Sequence, residues 1–93
     1  EAFLKVRPDS IVIKNNLAWL YLESGRYNKA VEVSKEAHEL MPTGGAVADT
    51  YGWALYKKGD IAEAISVLRL AVKLLPNDKI QAHLDEALST EKN

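Results

Sequence analysis

The chain of 93 residues contains no cysteine. Disulfides and thiolate chemistry are therefore excluded, while the redox compartment stays open, because a chain without cysteine fits either side of a membrane. Three prolines and five glycines are the only residues that interrupt helix or strand strongly. Neither sign of charge is in excess, with 12 basic against 13 acidic side chains. A phosphate backbone is bound by a basic surface, so nucleic acid is not expected as a partner. No stretch approaches the ~20 apolar residues that span a bilayer, and no secretory signal pattern is visible. Membrane insertion within this segment is not expected. Nucleotide-binding glycine loops and nucleophile elbows are absent too. Gly44-Gly45 is an isolated pair that reads as a connector.

Apolar residues make up 47% of the chain, which suits a folded protein and argues against disorder. The organisation is carried by the prolines. Pro8, Pro42 and Pro76 are spaced 34 and 34 apart. The same offset joins Trp19 to Trp53, Gly25 to Gly59, Ala30 to Ala64, Val33 to Val67, Ala37 to Ala71 and Leu40 to Leu74. Matches that fall on glycine, proline, tryptophan and alanine mark an internal repeat, and a period of 34 is that of a helix–turn–helix unit.

Leu17-Ala18-Trp19-Leu20-Tyr21 and Tyr51-Gly52-Trp53-Ala54-Leu55 resemble the first-helix signature of the tetratricopeptide repeat (TPR) family. Gly25-Arg26-Tyr27 and Gly59-Asp60-Ile61 resemble its inter-helix turn. Ala30, Ala37 and Pro42, then Ala64, Ala71 and Pro76, match its small-residue and closing-proline positions. The resemblance implies an all-α fold, a right-handed superhelical stack of antiparallel helix pairs with about two and a half repeats. Residues 1–8 resemble the end of a preceding repeat, 11–44 and 45–78 two full repeats, and 79–93 a capping helix and tail. Ser34 and Phe3 depart from the pattern, standing where a large apolar residue and an alanine are usual. The first-helix strings are also similar to repeat arrays of bacterial envelope and polysaccharide-export proteins. Glu1 followed by Ala2-Phe3-Leu4, without methionine, reads as a cut inside a longer protein. The compartment is left open between cytoplasm and bacterial envelope or periplasm.

Helices are expected near 10–23, 26–40, 46–58, 61–74 and 79–90. Leu17, Ala18 and Tyr21, like Tyr51, Gly52 and Leu55, fall on one helical stripe by their spacings of three and four. Small residues let helix axes approach to about 8 Å, so Ala18 and Gly52 are expected to face Ala30 and Ala64. Gly25 and Gly59 read as left-handed helix stops. Asp60 with Glu63, and Asp78 with Gln81, read as capping boxes. Lys29, Glu32, Lys35, Glu36 and Glu39 read as a solvated outer face. In the last helix Ile80, Leu84, Ala87 and Leu88 form an apolar stripe, a cover of the kind that terminal repeats need.

Chemistry is scarce. His38 and His83 lack histidine or cysteine at ligand spacing and read as surface histidines. Asp85 and Glu86 are adjacent and point apart. No enzyme, metal or cofactor is expected. A second stripe on the first helices carries Val12, Asn15, Trp19 and Leu22, then Ala46, Asp49, Trp53 and Tyr56. The family resemblance implies that this stripe lines the concave groove. The expected groove residues are Asn15, Asn16, Trp19, Leu22, Asp49, Thr50, Trp53, Tyr56 and Lys57, holding a peptide or helix of a partner protein. The other reading packs both indoles between first helices with only an edge showing. The clamp of the chaperone-tail binders is not matched: Asn16 fits its first asparagine, but Val12 replaces its upstream lysine, Thr50 stands at the equivalent of Asn16 in the next repeat, and Ile80 and His83/Leu84 stand where basic residues are needed. A structural spacer, or a homodimer through exposed repeat ends, is the alternative to the groove.

Overall fold

The computed structural model describes residues 8–92, so the segment read as the end of a preceding repeat, Phe3 included, lies outside them except for Pro8. Five helices follow in order: α1 (Pro8–Glu23), α2 (Tyr27–Leu40), α3 (Gly45–Lys58), α4 (Ile61–Leu74) and α5 (Asp78–Lys92). No strand occurs among the described residues. Pro8 opens α1, two residues before the expected start, at the position where a missing N–H costs nothing.

The turns repeat as faithfully as the sequence does. Gly25 and Gly59 have φ of 79° and 107°. Arg26 N–H donates to Tyr21 O at 2.8 Å and Asp60 N–H to Leu55 O at 2.9 Å. Gly25 donates to Leu22 O and Gly59 to Tyr56 O. Both turns are thus the same glycine-terminated C-cap, offset by one repeat. The second helices stop alike: Met41 N–H returns to Ala37 O and Leu75 N–H to Ala71 O, one residue ahead of each proline.

The capping boxes do not form. Asp60 makes no side-chain bond to the start of α4, lying instead 3.6 Å from Lys58, while Glu63 accepts from Tyr51. At α5 the cap is Asn77, whose Oδ1 accepts from Ile80 N–H at 2.8 Å, and Gln81 donates to Asp85. An asparagine at the N-cap reaches the third amide directly, so the box has no role there. Gly44-Gly45 is no loose connector either. Gly45 is the first residue of α3 and is buried, and a Cβ there would collide with Leu75.

Each helix packs on the next, and among the first helices α3 also meets both α1 and α5. The second-helix alanines make this possible. Ala30, Ala37, Ala64 and Ala71 have no exposed surface. Ala37 sits between Ile11 of α1 and Val47 of α3, Ala30 between Leu22 and Ala54, and Ala71 between Ala48 and Ile80. Leu84 and Ala87 of α5 close over Ile65 and Leu68, with Leu88 beside them. The charged face of α2 is exposed, and Glu36 pairs across to Lys14 of α1 at 2.9 Å rather than within its helix.

Gly52 does not face Ala64. Its missing Cβ would lie 2.7 Å from Leu68 Cγ and 3.2 Å from Leu68 N, whereas Ala64 packs with Tyr51 and Leu55. One repeat earlier the counterparts are Ala18 and Ser34, both without exposed surface. The pair is glycine with leucine in one unit and alanine with serine in the other, so the departure at Ser34 is matched by a larger partner. Ser34 Oγ donates to Val31 O, which satisfies its buried hydroxyl.

Two outcomes are expected. Gly52→Ala gains up to about 1 kcal/mol of helix propensity, but overpacking against Leu68 costs about 1–3 kcal/mol. Urea unfolding should therefore record a net loss; a stabilised variant would contradict the contact. Tyr51 titrates above its ordinary 10.0, first because burial disfavours the phenolate and then because Glu63 lies beside it. Its contribution to stability is complete below pH 10.0 and is lost as pH rises through the higher folded value. In alkaline melts Tyr51→Phe should lose stability less steeply than the wild type.

Candidate functional site

The stripe that carries the tryptophans lies on α1 and α3, and α5 completes it. Trp19 is half-buried, and its indole N–H donates to Thr50 Oγ1 at 3.0 Å. Thr50 donates in turn to Ala46 O at 3.0 Å, a local bond that turns its hydroxyl oxygen toward the indole. This relay pins α1 to α3. Trp53, one repeat on, is also half-buried and stacks on Tyr56 with ring centroids 4.9 Å apart.

His83 stands between the two indoles. Its ring stacks on Trp53 at 4.1 Å and 18°, and lies tilted 6.4 Å from Trp19. Its Nδ1 is 2.7 Å from Asp49 Oδ1, and the two side chains are only 14% and 6% exposed. His83 is therefore no surface histidine. The reason is the repeat itself: Asp49 and His83 are 34 residues apart, so adjacent first helices bring them side by side. The same offset brings Tyr56 to Thr90, 3.0 Å apart, with Tyr56 O–H also donating to Glu86 Oε2 at 3.0 Å. Trp19, His83, Trp53 and Tyr56 thus make a ladder of rings, with successive centroids 6.4, 4.1 and 4.9 Å apart. His38 is likewise drawn inward, its ring stacked on Tyr51 at 5.6 Å.

Cations flank the ladder. Lys79 Nζ lies 5.2 Å from the centre of the Trp19 ring and Lys57 Nζ 5.1 Å from that of Trp53, within cation–π range. A cleft of about 250 Å³ opens beside Trp19, lined by Asn15, Thr50, Asn77 and Lys79.

A tetratricopeptide repeat profile matches residues 21–88. The chain belongs to the tetratricopeptide repeat family. TPR repeats generally mediate protein–protein interaction, and TPR proteins are generally non-enzymatic scaffolds. The chain is 35% identical over 80 residues to TPR repeat-containing protein PA4667 of Pseudomonas aeruginosa, covering 85% of this chain and 14% of that protein. It is 25% identical over 77 residues to small glutamine-rich tetratricopeptide repeat-containing protein 2 of Mycosarcoma maydis, covering 83% of this chain and 22% of that protein. The chain thus spans less than a quarter of the length of either relative. No described helix is long and apolar enough to cross a membrane, and no described group of three acidic or histidine side chains is placed to hold a metal ion.

The residues expected in the TPR groove divide by depth. Trp19, Trp53 and Tyr56 are partly open, Asn16 and Lys57 are exposed, and Asn15 is half-buried. Leu22, Asp49 and Thr50 are buried: Leu22 belongs with Ala30 and Ala54 to the cluster against which both indoles pack, and Asp49 and Thr50 hold His83 and Trp19. His83, Lys79, Asn77 and Glu86 were not expected there. The interval of 34 between Asp49 and His83 was the signal that could have found the central one.

Removing His83 leaves the Asp49 carboxylate buried without its partner, a loss of about 1–3 kcal/mol. His83→Ala should show it in urea unfolding. In a double-mutant cycle with Asp49→Ala the coupling should exceed about 0.5 kcal/mol. Additive losses would show that the 2.7 Å contact contributes nothing.

Proposed function

We propose that the concave face of α1, α3 and α5 holds a segment of a partner protein, peptide or helix, and that this segment of chain acts as a binding scaffold. The supporting observation is the ladder Trp19–His83–Trp53–Tyr56, four rings from three successive first helices gathered on one face and left partly open. Rings give a partner large apolar area at little entropic cost, and each polar rim tolerates a wet site. In this reading Asn15, Asn16, Trp19, Trp53, Tyr56 and Lys57 touch the partner, while Leu22, Asp49 and Thr50 fix the rings from below.

A second reading, spacer or self-association segment, draws on α1. Ile13 and Leu20 are each 61% exposed, although their counterparts one repeat on, Val47 and Ala54, are buried under α2. A helix from the parent protein or from a second copy would cover them. Light scattering separates a monomeric binding module from a self-associating segment.

The groove is tested on peptides selected from a phage-displayed library against the wild-type chain. Trp53→Ala should weaken the selected peptides at least about tenfold, as truncated aromatic anchors do. Circular dichroism should keep its helical signal. If Trp53→Ala unfolds the chain, the indole is core and the reading fails. If fold and affinity are both untouched, the partner binds elsewhere.

A further inference from the structure

We infer that a second copy of this chain covers the open side of α1, two α1 helices pairing antiparallel about a twofold axis. The inference deepens the self-association reading above and is independent of the groove. Three observations lead there.

The first is the make-up of α1. Between Ser10 and Leu22 it carries a single charge, Lys14, and that ammonium reaches across to Glu36 of α2. Apolar side chains fall on every side of the helix. Ala18 and Leu22 are buried, Trp19 stands in the ring ladder, and Ile13 and Leu20 stand in solvent. A helix that is apolar all round is a buried one, and α2 covers only one side of α1.

The second is size, which separates one cover from another. α2 lies on α3 through Ala37 against Val47 and Ala30 against Ala54. The same places on α1 hold Ile13 and Leu20. A leucine in place of an alanine keeps a helix from settling as close as α2 does. Helix axes move from about 8 Å to about 10 Å apart as the side chains between them grow. A further helix of the α2 kind, held close by alanines, therefore fits α1 poorly. A second α1 fits the wider spacing, because its own Ile13 and Leu20 fill it.

The third is self-complementarity. Ile13 and Leu20 are about two turns apart, so antiparallel α1 helices set Ile13 of each copy against Leu20 of the other. The half-buried Leu17 and the exposed Asn16 lie between them. Two Asn16 carboxamides near the axis satisfy one another, since each has donors and an acceptor. Such a pairing uses one patch twice and closes at two copies. With a net charge of −1, the chain repels its own copy little. The other outer faces suit water better. Lys35 and Glu36 of α2 and Arg69 and Lys73 of α4 are exposed, and on α5 Gln81 and Asp85 bond to each other in the open.

Sedimentation equilibrium from about 10 µM to about 1 mM covers the range in which an interface of one helix face saturates. The wild type should rise toward twice the monomer mass. Ile13→Lys and Leu20→Glu lie at exposed positions, so both should keep the wild-type circular-dichroism melt. Each should weaken the dimer at least about tenfold, because each buries an unpaired charge in it. Mixed one to one, the two variants should associate more tightly than either alone, since the introduced charges then face each other. The chain has no cysteine, so an engineered disulfide reads the register directly. Ile13→Cys mixed with Leu20→Cys should cross-link under a mild oxidant, and neither should cross-link to itself at that rate. A wild type that stays monomeric throughout overturns both this inference and the self-association reading. A dimer that tolerates Ile13→Lys and Leu20→Glu keeps self-association and overturns the α1 face. Cross-links within the Ile13→Cys or Leu20→Cys sample as fast as in the mixture overturn the antiparallel pairing.

Discussion

Everything in this stack depends on how closely a second helix can approach the two first helices beside it. Ala30, Ala37 and Ala71 are fully buried because each meets a first helix on either side, and Ala64 is fully buried against Tyr51 and Leu55 of α3. A larger side chain at such a point would hold the helices apart. The neighbouring volumes are set by the same distance. Leu68 fills the space that Gly52 leaves, and Ser34 stands one repeat earlier beside α1, where Ala18 replaces glycine. Packing of this kind is felt at the level of single methyl groups.

Close approach has a functional consequence. Second helices wedged behind the first helices bring α1, α3 and α5 side by side, so residues one repeat apart become neighbours. Trp19, His83 and Trp53 belong to three different helices, yet form one run of rings. Asp49 turns His83 into that run and Thr50 holds Trp19 at its other end. Buried polar groups here orient exposed apolar ones. The division between partly open rings and buried anchors follows from depth on the helix, one turn of which moves a side chain from the face to the core.

Much of the fold was legible from spacing alone. The interval of 34 residues gave the repeat, the glycine turns and the bounds of α4, and α1–α3 were placed to within two residues. The reading was weaker wherever two residues compete for one role. Asp60 and Glu63 spell a capping box, but Lys58 and Tyr51 offer each a nearer partner. Gly44-Gly45 spells a loose connector, but Leu75 packs against Gly45 so closely that only glycine fits. His83 has no ligand partner along its own helix, and its carboxylate comes from α3.

The sequence by itself determined the helix pairs, because periodicity, glycine stops and prolines act within a few residues of where they stand. It also determined which stripe carries the tryptophans. Only the tertiary structure decided what those tryptophans touch. The pairing of His83 with Asp49, the seat of Leu68 against Gly52 and the cations over the two indoles all join different helices. Their geometry depends on the register between helices, and register is settled by the packing of buried side chains, which no single stretch of sequence contains.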